Sequence, residues 1–374
     1  MHNMKIGIIT LPFNNNYGGY LQCYALMSVL KSLGHQVTLI NRMHNRRSFL
    51  MRFRHFAKAF LCAMLHKEHN TYIMSQVKEL RNKGRNMMPF VDKNISPKTR
   101  PIFNDLELHL FTTRRFDAVI VGSDQVWRPD YGPKIENYFL NFVSEKTKKI
   151  SYAASFGQDN PGYTSCQINR CSRLIEKFDN ISVREDSGLE ILNAWSVKLK
   201  NKPQVVLDPT MLLSKEHYIS LLKSSCEIKE SIFCYVLDES DQAKLIVSSV
   251  FDYLKIPIYN IIETDKWKNA DYAMPSIEKW IEGISDARLV LTDSFHGTVF
   301  SLIFNKPFIV YANKERGASR FLSLLKQFGL ESRIVTTSNE AICVCEEEID
   351  WCSVNKILET KKKLSYEFLY NALT

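Results

Sequence analysis

Asp293-Ser294-Phe295-His296-Gly297-Thr298 stands between an apolar strand-like run, Ala287-Arg288-Leu289-Val290-Leu291-Thr292, and an apolar helix-like run, Val299-Phe300-Ser301-Leu302-Ile303-Phe304. A strand that turns directly into a helix offers the free N–H groups of the helix start to an anion. The helix dipole adds positive potential at the same point, and a glycine lets a ligand approach the backbone. His296 followed by Gly297 in that turn suits a reaction that handles phosphate. The same residues also read as a histidine capping its own helix.

Working outward, the strand–turn–helix style repeats. Upstream come strand Ser231–Leu237, helix Asp241–Leu254, strand Pro257–Ile261 and helix Ser276–Ile284; downstream come strand Lys306–Tyr311, then Lys314, Arg316 and Arg320. The tail from Asn355 to Leu373 reads as a charged helix. The first half opens with strand Lys5–Thr10, a polar turn Asn14-Asn15-Asn16-Tyr17-Gly18-Gly19, a helix over Tyr20–Leu33 stopped by Gly34, and strand Gln36–Ile40. That is a βαβ unit, which implies a parallel sheet with right-handed crossovers. Strands follow at Phe116–Val121, Lys149–Ala153 and Asn180–Val183, with a helix in the 165–178 region and another opened by Arg184-Glu185-Asp186-Ser187-Gly188. Val205–Leu207 and Asp208-Pro209-Thr210 read as the passage between halves.

The expected fold class is therefore α/β, two Rossmann-like doubly wound domains facing a cleft, divided into residues 1–205 and 206–374. Ligands bind open α/β sheets at the carboxyl ends of the strands. Asn16, Gly18, Ser123, Asp124, Arg184, His296 and Lys314 all follow predicted strands, so all are candidates for that cleft.

Residues 44 to about 115 break the rhythm. Phe49, Phe53, Phe56, Phe60 and Met64 recur at helical spacing among Arg47, Arg52, Arg54, His55 and Lys58. A basic amphipathic helix over 46–58 can lie on an anionic membrane face or grip an anionic substrate. The plainer reading, an insertion packing its Phe stripe on the core, is favoured.

Bulk properties agree with two globular domains. The chain has 374 residues, 45% hydrophobic and 24% charged, a profile that supports a sizeable core. The formal charge of +9 fits an anionic ligand or surface without choosing between them. No aromatic-plus-basic pattern points to nucleic acid. The cysteine count, nine, is odd, and the cysteines are scattered, against a disulfide framework and for a reducing compartment. Cys343, Cys345 and Cys352 lack a C-x-x-C pair, so no metal site is expected. The N-terminus runs almost directly into a strand and no apolar run reaches the ~18 residues of a membrane span, so a cytoplasmic protein is expected.

Several segments together resemble the polysaccharide pyruvyl transferase family: Asn16-Tyr17-Gly18-Gly19-Tyr20-Leu21-Gln22, Val121-Gly122-Ser123-Asp124-Gln125-Val126-Trp127, Ser182-Val183-Arg184-Glu185, Leu207-Asp208-Pro209-Thr210 and Thr292-Asp293-Ser294-Phe295-His296-Gly297-Thr298. The resemblance runs from about residue 4 to about 330 and is weakest over 44–115. It implies a GT-B-like fold. It also implies transfer of the pyruvyl group of phosphoenolpyruvate (PEP) onto paired sugar hydroxyls, giving a cyclic ketal and releasing phosphate in the synthesis of capsule, exopolysaccharide or cell-wall glycan. No cofactor is expected beyond the PEP donor. The acceptor would be a saccharide, lipid-linked or nucleotide-linked; if it is lipid-linked, the 46–58 helix would dock at the inner membrane face.

On this reading the first half is the acceptor side and the second half the PEP side. His296 is the expected acid/base or phosphate-side donor, because imidazole titrates near neutrality, with the Gly297 backbone helping to hold phosphate. Arg184 is expected to fork onto the carboxylate or phosphate of PEP; its plainer reading is a pair with Glu185 or Asp186. Lys314 matches the family's lysine after the last core strand, and Arg320 is a reserve ligand. Many relatives carry an arginine where this chain has Ser294, whose hydroxyl supplies only one donor, so Lys314, Arg316 or Arg320 would have to replace it. Asn16, Gly18 and Gln22 are expected to shape the cleft or touch the acceptor, although Gly18-Gly19 also reads as a tight turn. Ser123, Asp124 and Gln125 offer acceptor-binding groups, with Asp124 either a base or an N-cap. Trp127 reads as a sugar platform or, more simply, as core. Two alternatives stay open: a nucleotide-sugar glycosyltransferase on the same fold, and a non-catalytic glycan-assembly protein.

Overall fold

Two parallel sheets carry the chain, described here by a computed structural model over residues 3–45, 81–222, 230–262, 269, 271–312 and 318–374. Strands β1 (Lys5–Ile9), β2 (Gln36–Leu39), β3 (Ala118–Asp124), β4 (Lys148–Ala154), β5 (Asn180–Val183) and β6 (Gln204–Val205) lie in the order β2-β1-β3-β4-β5-β6. Strands β7 (Ile232–Tyr235), β8 (Ile258–Asn260), β9 (Leu289–Thr292), β10 (Phe308–Tyr311) and β11 (Ile334–Val335) form the second sheet, β11-β10-β9-β7-β8. A parallel sheet covered by helices on both faces needs apolar residues on both sides of the pleat. Accordingly β3, β7, β9 and β10 are buried at every position.

The two strand orders place the site. In the first sheet the chain goes from β1 to its neighbour β2, then returns past β1 to β3; in the second it goes from β7 to β8 and returns to β9. The loops leaving β1 and β3 therefore diverge, as do those leaving β7 and β9, and each divergence opens a crevice at the carboxyl edge of its sheet.

Helix Tyr17–Ser32 begins earlier than its apolar pattern suggests. The Asn16 side chain accepts from the Gly19 N–H at 3.4 Å, so Gly18 and Gly19 lie in the first helical turn, not in a separate tight turn. The helix also joins the halves. The Tyr17 ring stacks on Trp280 at 5.4 Å, meets Tyr235 edge-on at 5.8 Å, and its hydroxyl donates to the Pro275 carbonyl at 2.9 Å. One apolar cluster runs from Ile6, Ile8 and Leu21 through Trp280, Val290 and Phe300.

The boundary near 205 separates the strands of the two sheets. The C-terminal helix Trp351–Leu373 reaches back across it: Phe368 lies 6.2 Å from Tyr152 of β4, and the Ser365 hydroxyl accepts from the Leu207 N–H at 3.1 Å. In the described part of the 44–115 insertion, isolated parallel bridges join Leu39 to Lys98 and Arg42 to Ile102. The Phe49–Met64 stripe and the basic 46–58 segment lie outside the described residues.

Candidate active site

Both crevices open into a single cleft of about 380 Å³. Asn16 follows β1; Asp124 ends β3 and is followed by Gln125, Arg128 and Tyr131; Gln158 follows β4. From the other half come Tyr235 and Leu237 of the β7 edge, Asp293 to His296 after β9, and Arg320 from helix Ala318–Lys326. Of the predicted residues, Asn16, Asp124, Gln125, Ser294, His296 and Arg320 are thus brought together on one wall or the other.

His296 owes its place to Gly18. A Cβ at position 18 would stand 2.0 Å from His296 Nδ1 and 2.2 Å from its Cγ, so only glycine lets the helix and the ring pack this closely. Gly18 does not line the cleft; it makes room for the residue that does. Gly297 is likewise used differently from the expectation. Its N–H donates to the Ser294 hydroxyl at 3.4 Å, and a Cβ there would meet Thr292 Oγ1 at 2.3 Å. Ser294 is thus the N-cap of helix Phe295–Phe304, and the close approach at Gly297 is to its own strand. Phe295 and His296, whose N–H groups precede the first intrahelical bond, remain at the cleft.

Gln22 and Ser123 sit behind the cleft. Gln22 is buried; its amide donates to the Thr10 hydroxyl at 2.9 Å and the Gly19 carbonyl at 3.0 Å, and its oxygen accepts from the Ser123 N–H at 2.9 Å. The Ser123 hydroxyl lies within 3.0 Å of the Ala153 carbonyl and 3.1 Å of Asp208 Oδ2. With their polar atoms committed, both residues brace the ends of β1 and β3.

Arg184 is the largest departure from expectation. Its side chain is 2% exposed and does not line the cleft. It donates to Asp208 Oδ2 at 3.2 Å, lies 3.6 Å from Asp124 Oδ1 and 3.7 Å from Glu185 Oε2, and covers the Phe295 ring at 4.2 Å. Burial alone would lower its pKa, but the carboxylates of Asp124, Glu185 and Asp208 outweigh burial and raise it. A guanidinium so enclosed is a structural counter-charge behind the wall. Among the described residues, the cationic side chains on the wall itself are Arg320 and Arg128. Burial lowers the pKa of Arg320, and the charge of nearby Arg184 adds to that. Arg128 lies over the Tyr131 ring at 4.2 Å and donates to the Tyr131 hydroxyl at 2.9 Å. Lys314 and Arg316 lie outside the described residues.

Asp208 is the residue that the candidate set lacked. It follows the first half, heads the short turn Pro209–Leu212, and is fully buried. Its Oδ1 accepts from the Thr210 N–H at 3.1 Å and hydroxyl at 2.7 Å, and its Oδ2 stands 3.5 Å from His296 Nε2. Burial would raise its pKa; His296, Arg184 and the Thr210 hydroxyl together hold it well below the ordinary 3.8. The Leu207-Asp208-Pro209-Thr210 segment was visible as a signal, but an Asp-Pro pair reads first as a turn. Arg128, Tyr131 and Gln158 follow strand ends without any pattern that marks them. Trp127, by contrast, is buried against Phe139 at 5.3 Å and donates to the Tyr138 carbonyl, as a core residue does.

Two doubly wound domains closing on a polar, histidine-bearing cleft define a GT-B-type α/β protein. Solved structures agree on the fold. UDP-GlcNAc 2-epimerase from Neisseria meningitidis, bound to UDP-GlcNAc, superposes with a TM-score of 0.53 at 10% identity over 98% of this chain and 100% of that one. The enzyme of the same name from Methanocaldococcus jannaschii gives 0.53 at 12% identity over 97% and 100%, and that from Rickettsia bellii 0.53 at 12% over 99% and 97%. No curated protein matches the chain. Residues 16–315 match the polysaccharide pyruvyl transferase family, and the chain belongs to that family.

Proposed function

We propose that the protein transfers the pyruvyl group of PEP to two hydroxyls of a saccharide, forming a pyruvate ketal during synthesis of a capsular, extracellular or cell-wall glycan. The observation that carries this reading is His296 at a helix start on the wall of a cleft that Arg320 also lines, within a member of a pyruvyl transferase family. PEP brings a carboxylate and a phosphate. Arg320, the N–H groups at the start of helix Phe295–Phe304 and Arg128 are the groups placed to receive them. Arg320 and Ser294 both line the cleft, which makes Arg320 the candidate to replace the arginine that many relatives carry at position 294.

In the reaction, His296 gives a proton to the methylene carbon of PEP, leaving the central carbon open to attack by a sugar hydroxyl. Asp124, at the end of β3 and 8% exposed, takes the hydroxyl proton as base. Phosphate leaves with the proton that Asp124 collected, and the second hydroxyl closes the ketal as it gives its own proton back to His296. The walls divide accordingly: Asn16, Asp124 and Gln125 toward the acceptor, Ser294, His296 and Arg320 toward the donor. No cofactor enters these steps. Among the described residues no helix is long and apolar enough to cross a membrane; we place the reaction in the cytoplasm, with the acceptor lipid-linked or nucleotide-linked.

Calorimetric titration tests the reading. PEP should bind the wild type, and Arg320→Ala should weaken it about tenfold to a hundredfold, the loss of one or two charge-assisted bonds. Binding of a nucleotide sugar with no binding of PEP would instead favour the glycosyltransferase reading. A biological effect that survives both Arg320→Ala and His296→Ala would point to an assembly protein.

A further inference from the structure

Resting on the proton transfer just assigned to His296, we propose that Asp208 is the positioning residue of that histidine, holding the ring with a protonated Nε2 inward so that Nδ1 is the nitrogen that exchanges protons with substrate. Three observations carry this. First, among the described residues the buried His296 Nε2 has no hydrogen-bond partner, and Asp208 Oδ2 is the anionic acceptor facing it at 3.5 Å. A carboxylate there favours a proton on Nε2 and disfavours a lone pair. Second, Asp208 cannot swing away. Both hydrogen-bonding groups of Thr210 hold Oδ1, while Ser123 at 3.1 Å and Arg184 at 3.2 Å hold Oδ2. These donors come from β3, the residue after β5 and the turn after Asp208, so both oxygens of the carboxylate are held.

Third, Nδ1 is on the side of the ring that packs against Gly18, where a Cβ would stand 2.0 Å away, and the ring lines the cleft. The two nitrogens thus have distinct surroundings, a carboxylate facing Nε2 and the uncharged backbone of a glycine beside Nδ1. That asymmetry selects one tautomer, as the second hydrogen bond of a catalytic imidazole does. The proton count closes around the cycle. The imidazolium gives its Nδ1 proton to the methylene carbon of PEP and becomes the Nε2–H ring; the proton of the second sugar hydroxyl, taken up at Nδ1 as the ketal closes, restores it. Among the described residues, the charged groups around the pair are Arg184 and Glu185 after β5 and Asp124 at the end of β3, with Arg320 lining the same cleft.

The test reads the ring without requiring catalysis. In the full-length, ¹⁵N-histidine-labelled protein without substrate, long-range ¹⁵N–¹H correlation at alkaline pH reports which nitrogen of the neutral ring is protonated, with His296→Gln assigning the signal. The expected wild-type result is Nε2–H. In Asp208→Asn the preference should be lost or reversed, and kcat should fall about 10²-fold or more while KM for PEP stays within about threefold, since a wrong tautomer costs turnover and not binding. A wild-type ring protonated on Nδ1 or mixed between forms would overturn the proposal, as would an Asp208→Asn protein with unchanged tautomer and kcat. If that variant does not fold, the wild-type spectrum decides alone. An Nε2–H ring in a protein that neither binds nor consumes PEP leaves the ring assignment standing and removes the pyruvyl reading.

Discussion

At the scale of the residue, the site depends on side chains that never reach the cleft. Gly18→Ala should move His296, because the new methyl has nowhere to go but into the ring. Misplacement by about 1 Å can cost about 10²-fold in rate, so we expect a loss of that order in kcat/KM with the helix content unchanged by circular dichroism. Arg184→Ala should act mainly on stability. It leaves Asp124, Glu185 and Asp208 without their shared cation, and removing one partner of a buried ion pair costs about 3–5 kcal/mol, readable as a lower urea midpoint. Asp208 adds a pH signature. Its carboxyl is held below 3.8 in the folded state, so its contribution is complete above that value and is lost as pH falls below it toward the folded-state value. Comparing wild type with Asp208→Asn in urea, the stability difference should be constant at neutral pH and shrink on acidification below about pH 4. A difference that grows in acid would contradict the assignment.

At the scale of the element, the turn after β9 is set by local rules that the sequence displays openly. Ser294 caps the helix through Gly297, and Thr298 closes its first intrahelical bond to the Ser294 carbonyl at 3.0 Å. Ser294→Ala should therefore cost about 1 kcal/mol, and Ser294→Gly only a few tenths, measured by denaturant unfolding. A larger effect of either on PEP affinity than on stability would show that the hydroxyl also serves the ligand. The same local legibility explains why strand and helix identities could be read from apolar runs, while their ends moved by a few residues. Helix Tyr17–Ser32 starts three residues before its apolar stripe, because Asn16 supplies a cap that hydrophobic periodicity does not register. Strand β3 extends through Asp124 because pairing with β4 continues past the apolar segment.

At the scale of the whole molecule, the halves are joined by packed rings as well as by the connecting chain. Tyr17→Ala removes a buried ring from between Trp280 and Tyr235 and should cost about 3–5 kcal/mol, whereas Tyr17→Phe forfeits only the bond to Pro275, about 1 kcal/mol. Calorimetry should show wild type unfolding as one transition, with Tyr17→Ala the change that broadens or splits it. By itself the sequence determined the α/β class, the two halves, most strands and the order of the segments that mark the family, because each is written in neighbouring residues: apolar runs and turn formers. Only the tertiary structure decided which polar residues face the cleft. A charged side chain after a strand can point to solvent, to ligand or into a carboxylate cage, and Arg184 took the cage because β3, β5 and the Asp208 turn converge there. Gly18 and His296, far apart in the chain, share a contact that no local pattern encodes, since the space beneath a ring is fixed by how two helices from different sheets pack.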